Sequence, residues 1–188
     1  MNMFVVLTFA IIWSTVEGLL LLRDKRNAKG STQSDKMTRV LNFICTEGAL
    51  LSALFMVIPS TNSLYINAPF LLPLGTVLAI LGFTLRHVSI HILGEYFRTT
   101  VEIDGNQPII QKGPYRFIRH PSYSGIILFF IGYGILSQNW LCFAASVLLP
   151  AIALMYRIHV EEIVLIDKFG KKYEDYRAKT KKLIPFIF

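Results

Sequence analysis

Apolar residues run through this chain in five long blocks separated by short polar stretches. The blocks fall at roughly 3–22, 40–58 (ended by Pro59), 69–93 or beyond, 122–137 and 140–156. A helix needs about 20 mostly apolar residues to cross a bilayer, so the first three predict transmembrane helices. The last two are shorter, with only Gln138 and Asn139 between them, and predict a tight helical hairpin over 122–156. After residue 156, Glu162, Leu165, Phe169, Tyr173 and Tyr176 recur at steps of three and four. That spacing predicts a helix continuing to about 181 with one apolar face, lying on the membrane surface on the cytoplasmic side. The expected fold is all-α and polytopic, one integral membrane domain over 1–188. Two N-terminal spans (1–68) precede a core (69–188) that carries a loop at 94–121 and a tail at 157–188.

Composition agrees with the pattern. Of 188 residues, 53% are hydrophobic and 16% charged, too few charges for an ordinary soluble domain. The net charge of +7 would suit nucleic acid in a soluble protein. Here the positive residues sit between and after apolar segments, where membrane topology and anionic lipid account for them, and no nucleic-acid partner is expected. The stretch RDKRNAKGSTQSDKMTR holds six basic residues, whereas PSTNSLYINAP holds none. Arg98, Lys112, Arg116 and Arg119 mark the next connection, and the tail is basic. The alternation predicts an outside N-terminus and a cytoplasmic C-terminus. The start, MNMFVVLTFAIIW, lacks the basic head of a secretory signal and reads as a retained span. Cys45 and Cys142 lie in apolar runs and read as small buried hydrophobes.

The chemistry concentrates in two places. QPIIQKGPYRFIRHPSYSG (107–125) breaks helices at Gly113-Pro114 and His120-Pro121. Irregular backbone at membrane depth persists where it lines an enclosed cavity, and its free amides and carbonyls can bind a polar ligand. Tyr115 and Tyr123 add flat rings and hydroxyls. The plainer alternative is a basic juxtamembrane loop with an aromatic belt. The second place is Arg157 and Glu161, four apart on one helix face at the end of a span, with Glu162 beside them. A carboxylate held at the membrane edge implies a cationic partner, either an arginine or a ligand. Glu17 and Glu47 sit inside apolar segments, where they either mark a polar pathway or face other helices. His87 and His91 are spaced i, i+4, but without further ligands they read as a polar helix face, so no metal is expected.

GPYRFIRHPSYSG followed by RIHVEEIVLIDKFGKKYEDYRAKTKKLIP resembles the isoprenylcysteine carboxyl methyltransferase family over roughly 84–188. The pieces are a GPY, an RHPSYSG, an R-x-x-x-E-E, an FG-x-x-Y-x-x-Y and a terminal proline, in that order. The resemblance implies an S-adenosylmethionine-dependent membrane methyltransferase. Its cofactor would be contacted by Gln107, Pro108, Ile109, Ile110, Tyr115, His120, Pro121, Ser122, Tyr123 and Glu161, with Gly113, Pro114 and Glu162 in the same set. Arg157 would face a substrate carboxylate, and with Glu161 it forms the expected catalytic pair. The acceptor would be a lipophilic small molecule or a lipidated substrate, reached from the membrane lipid. A carboxylate acceptor is ionised near neutral pH and needs no base. A phenol or amine would need one, with His120, His159 and Glu162 as candidates. A sterol-reductase-like enzyme using NADPH shares a similar tail, and a non-enzymatic membrane subunit is the remaining alternative.

Overall fold

The computed structural model describes residues 3–27, 33–52, 68–99, 108–185 and 187. Among them the architecture is helical: α1 (Met3–Asn27), α2 (Gln33–Leu51), α3 (Leu71–Leu93), α4 (Pro121–Leu136), α5 (Trp140–Phe169) and α6 (Lys171–Lys179), with single 3-10 turns at Gly94–Tyr96 and Gly113–Arg116. Phe4–Arg23, Leu71–Tyr96 and Trp140–Phe169 are long and apolar enough to span a membrane. Val40–Leu51 and Pro121–Leu136 are shorter apolar helices. The second helix starts earlier than its apolar block, and residues 53–58 and Pro59 lie outside the described residues.

The antiparallel pair α3 and α4 makes the most extensive helix contact. Its basis is a line of glycines spaced by seven, Gly75 and Gly82 on α3 against Gly125 and Gly132 on α4. A Cβ at Gly125 would lie 2.6 Å from the Arg86 nitrogen and 2.7 Å from the Gly82 carbonyl oxygen. One at Gly132 would lie 2.7 Å from the Gly75 oxygen. In lipid, helices associate through such close packing, because apolar burial drives nothing that the lipid tails do not already provide.

An aromatic cluster covers this pair. Trp13 of α1 stacks on Phe129 at 4.1 Å between centroids and meets Phe130 edge-on at 5.2 Å. Tyr133 extends the cluster and donates its hydroxyl to the Leu50 carbonyl of α2 at 2.9 Å. Asn139 caps α5, its side-chain oxygen accepting from the amides of Leu141 (2.9 Å) and Cys142 (3.2 Å). Between the hairpin helices, Gln138 takes a left-handed φ of 50°.

α1 and α3 are joined by an ion pair between buried Arg86 and partly buried Glu17. Arg86 donates Nε and Nη2 to the two carboxylate oxygens of Glu17, the latter at 2.6 Å, and Nη1 to the Ser122 hydroxyl at 3.0 Å. Its guanidinium also lies 5.6 Å from the centroid of Trp13. Glu47 accepts from Ser14 at 2.9 Å. The two intramembrane glutamates therefore serve helix–helix contacts.

The tail departs from the expected single helix. α5 continues unbroken from its apolar part to Phe169, 30 residues or about 45 Å long, and outruns the hydrocarbon core of a bilayer. It stops at Gly170, whose φ of 51° is a left-handed conformation that glycine adopts without steric cost. α6 then turns back. The predicted apolar stripe faces the protein, not lipid: Tyr173 and Tyr176 are 2% and 5% exposed. Beyond α6 the chain folds against the 117–120 segment. The amides of Arg119 and His120 donate to the carbonyls of Lys181 (2.8 Å) and Lys182 (3.2 Å), and Lys181 donates back to Phe117 (3.0 Å).

Two outcomes are expected from this packing. Gly125→Val overpacks the α3–α4 contact and costs about 1–3 kcal/mol, whereas Gly48→Ala, with nothing within 4 Å of the added carbon, leaves stability unchanged or slightly raised. Glu17→Ala strands a buried guanidinium and costs about 3–5 kcal/mol. Denaturant titration of the detergent-solubilised protein measures both.

Candidate functional site

The helix breaks at Gly113-Pro114 and His120-Pro121 shape a polar segment between α3 and α4. Pro121 occupies the first turn of α4, where its missing N–H costs no hydrogen bond. Gly113, Pro114, Tyr115 and Arg116 form one 3-10 turn that buries the Tyr115 ring. Tyr115 points its hydroxyl at the Ser89 carbonyl (3.4 Å), while its own carbonyl accepts from Tyr176 of α6 (2.8 Å). Burial raises the Tyr115 phenol above its usual range, and the Glu161 charge adds to the shift. Burial pushes Tyr176 up to about 12 against the opposing pull of Arg119. Both remain neutral hydroxyl donors at any physiological pH.

This segment, the start of α4, the far end of α5 and α6 enclose a cavity. Of the residues expected to meet a cofactor, Pro108, Ile109, Ile110, Tyr115, His120, Ser122, Tyr123 and Glu161 line it. Gly113, Pro114 and Pro121 shape the backbone without lining it, and Gln107 lies outside the described residues. Leu93 at the end of α3, Tyr96, Phe97 and Arg98 just after it, Arg119 of the loop, and Leu165, Phe169, Tyr173 and Tyr176 from the tail complete the walls. The tail residues carry a visible sequence signal, the FG-x-x-Y-x-x-Y spacing, but periodicity does not say whether an apolar stripe meets lipid or protein. Residues 96–98 belong to the loop at 94–121 expected to carry the cofactor contacts, but no motif singles them out within it, and they reach the cavity through the course of the chain after α3.

The two adjacent glutamates part company here. Glu162, whose side chain is 9% exposed, turns inward, accepts from Arg119 Nε at 2.8 Å and lies 3.4 Å from His120 Nε2. It locks the loop to α5 and does not line the cavity. Glu161 is 29% exposed and faces the cavity. One turn earlier, Arg157 lines a second cavity, together with Trp13, Glu17, Asn42, Arg86 and Leu154. Tyr123, Phe97 and Arg98 line both cavities and so form their common wall. Within that wall the Tyr123 hydroxyl donates to Glu161 Oε2 at 2.7 Å and accepts from Arg157 Nε at 2.8 Å. The His120 ring stacks parallel to Tyr123 at 5.5 Å, and Arg157 Nη2 donates to the Thr99 carbonyl. Arg157 and Glu161 are thus brought together through Tyr123. His87 stands apart, stacked on Phe83 at 4.0 Å with Nδ1 2.8 Å from the Phe83 carbonyl.

The arrangement can hold a cation with flat rings on one side of the wall and an anion on the other. Comparison with known proteins bears on which ones. The sequence is 34% identical over 116 residues to the protein-S-isoprenylcysteine O-methyltransferase of Tribolium castaneum, covering 61% of this chain and 41% of that protein. It is 32% identical over 115 residues to a probable protein-S-isoprenylcysteine O-methyltransferase of Oryza sativa subsp. indica, covering 60% of each. The chain therefore spans about two-fifths to three-fifths of the length of these relatives. Its fold is similar to that of the solved eukaryotic intramembrane Ras methyltransferase ICMT, with a TM-score of 0.62 and 30% identity over 77% of this chain and 52% of that one. The apolar helices and this likeness together make the chain an integral membrane protein. The family profile for isoprenylcysteine carboxyl methyltransferases matches residues 74–167, which include Arg86, the loop, the hairpin, Arg157 and Glu161, and the chain belongs to that family.

Proposed function

We propose that this protein transfers a methyl group from S-adenosylmethionine to the carboxylate of a lipid-tailed acceptor of the prenylcysteine kind, at the cytoplasmic edge of the membrane. The observation that carries this reading is the pair of cavities with one shared wall, in which Tyr123 links Glu161 on one side to Arg157 on the other. The names of the relatives and the basic loops on the proposed cytoplasmic side support it.

The first cavity fits the methyl donor chemically. Glu161 offers a carboxylate to an ammonium or a sulfonium. The rings of Tyr96, Tyr115, Tyr123 and Tyr173 offer faces to a base or a cation. Ile109 and Ile110 supply apolar contact, and the buried phenols stay protonated as donors. When bound, S-adenosylmethionine supplies a methyl group activated by a positively charged sulfur.

The remaining work belongs to the chain. Arg157 offers its guanidinium to the acceptor carboxylate, whose planar shape it matches. That carboxylate carries its charge near neutral pH, so the wall needs no general base. Tyr123 fixes the rotamers of Arg157 and Glu161 relative to each other, and so aligns the two cavities, which is where rate is gained in a displacement. Phe97, Leu154 and Ile126 keep water from the acceptor side. The second cavity is walled by α1 to α5, so an acceptor with its tail in the bilayer reaches Arg157 laterally while the charged donor arrives from water.

Calorimetric titration of the purified protein with S-adenosylhomocysteine tests the donor half. Micromolar binding is expected, weakened about 10- to 100-fold in Glu161→Gln, the range of a lost charge-assisted hydrogen bond. Binding of NADPH instead would move the protein to the reductases. Arg157→Lys tests the acceptor half. It is expected to leave S-adenosylhomocysteine affinity within about threefold and to lower kcat/KM for a prenylcysteine acceptor about 100-fold, because a lysine ammonium does not reproduce a planar guanidinium held in place by Tyr123 and the Thr99 carbonyl. Equal loss in both measurements would place Arg157 on the donor side.

A further inference from the structure

The segment after α6 carries a surface of its own. Residues 180–183 run beside 117–120 as a strap. Besides the three backbone bonds already described, the Thr180 carbonyl accepts from Arg119 Nη1 at 2.6 Å and the Leu183 carbonyl accepts from the Ser124 hydroxyl at 2.6 Å. The inner side of this pair is buried at Ile118, His120, Thr180 and Leu183. The outer side is exposed and of one character. Lys112, Arg116, Lys179 and Lys181 are exposed cations. Phe117 and Ile184 between them are about half exposed, at 51% and 50%, and Ile187 is 75% exposed. Neither 108–120 nor 176–185 contains an aspartate or a glutamate. The acids of α6, Glu174 and Asp175, stand beside Lys171 and Lys172 in the preceding turn.

Cations interleaved with protruding apolar side chains are the signature of a surface that enters a headgroup layer, where the charges meet anionic lipid and the side chains reach the acyl boundary. A water-facing loop has no use for Phe117, Ile184 and Ile187 together. A span has no use for the lysines. We propose that the strap and the 112–117 loop form one docking surface for an anionic membrane leaflet, and that this contact holds the strap against the loop lining the first cavity. The apolar stripe of α6, which the sequence assigns to the membrane, is spent on the cavity. The leaflet contact falls instead on the residues that follow it. The lipid contact stands independently of the methyl-transfer reading; its effect on cofactor affinity rests on that reading.

The test uses the full chain in nanodiscs of phosphatidylcholine alone or with about 30 mol% phosphatidylglycerol. Tryptic cleavage after Lys179 and Lys181 is expected to slow about fivefold or more in the anionic discs, and the protection is expected to fall as salt rises. The variant Lys112→Gln/Arg116→Gln keeps the strap's cleavage sites and is expected to lose at least half of the protection. S-adenosylhomocysteine is expected to bind about 3- to 10-fold more tightly in the anionic discs, with most of that gain gone in the variant. Equal cleavage in the two lipids, or protection unchanged in the variant, overturns the docking surface. Protection without any change in affinity keeps the surface and overturns its hold on the loop. Absence of S-adenosylhomocysteine binding in both lipids counts against the cofactor reading, while cleavage still decides the surface.

Discussion

The backbone contact between α3 and α4 sets the rest of the molecule. Four glycines let the two helices approach until the Arg86 nitrogen and the Gly82 carbonyl oxygen lie 2.6 and 2.7 Å from where a Cβ on Gly125 would be. At that separation Arg86 reaches Ser122, and the first turn of α4 is held against the middle of α3. His120, Ser122 and Tyr123, the residues that wall the first cavity, are therefore positioned by a contact several residues further along. Wider helix spacing would detach the loop from its support and open the wall between the cavities.

On that foundation the site is built on charge pairs that hold its elements, with Glu161 facing the first cavity and Arg157 the second. Glu162 takes Arg119 and holds the loop. Glu17 takes Arg86 and holds α1 to α3. Arg157 and Glu161 share a neutral phenol, which binds both without neutralising either. The bridging hydroxyl joins the two without a direct ion pair, with Glu161 facing one cavity and Arg157 the other. The Tyr123 ring stands between the two sides, beside Phe97 and Arg98 from the chain after α3.

The tail turns a membrane-like pattern to a different use. α5 overshoots the bilayer, Gly170 breaks its direction, and α6 folds back to deliver Tyr173 and Tyr176 to the cavity. The strap after α6 then closes on the loop through backbone bonds that no side-chain pattern announces.

By itself the sequence determined that the chain is helical and membrane-embedded, because long apolar blocks permit little else. It also placed the helix breaks at 113–114 and 120–121 and the hairpin turn at 138–139, because proline and short polar links act locally. It brought Arg157 and Glu161 to one helix face by spacing alone, and through quoted motifs it marked most of the residues that line the first cavity. Tertiary structure decided what depends on neighbours distant in sequence. It decided that Glu162 is spent on Arg119 while Glu161 is not, although the two are adjacent and chemically identical. It decided that the tail's apolar face meets protein, since a stripe at helical spacing looks the same against lipid or against tyrosine. It also decided that Phe97 and Arg98 join Tyr123 in the wall, a role set by where the chain leaves α3, which no local pattern encodes.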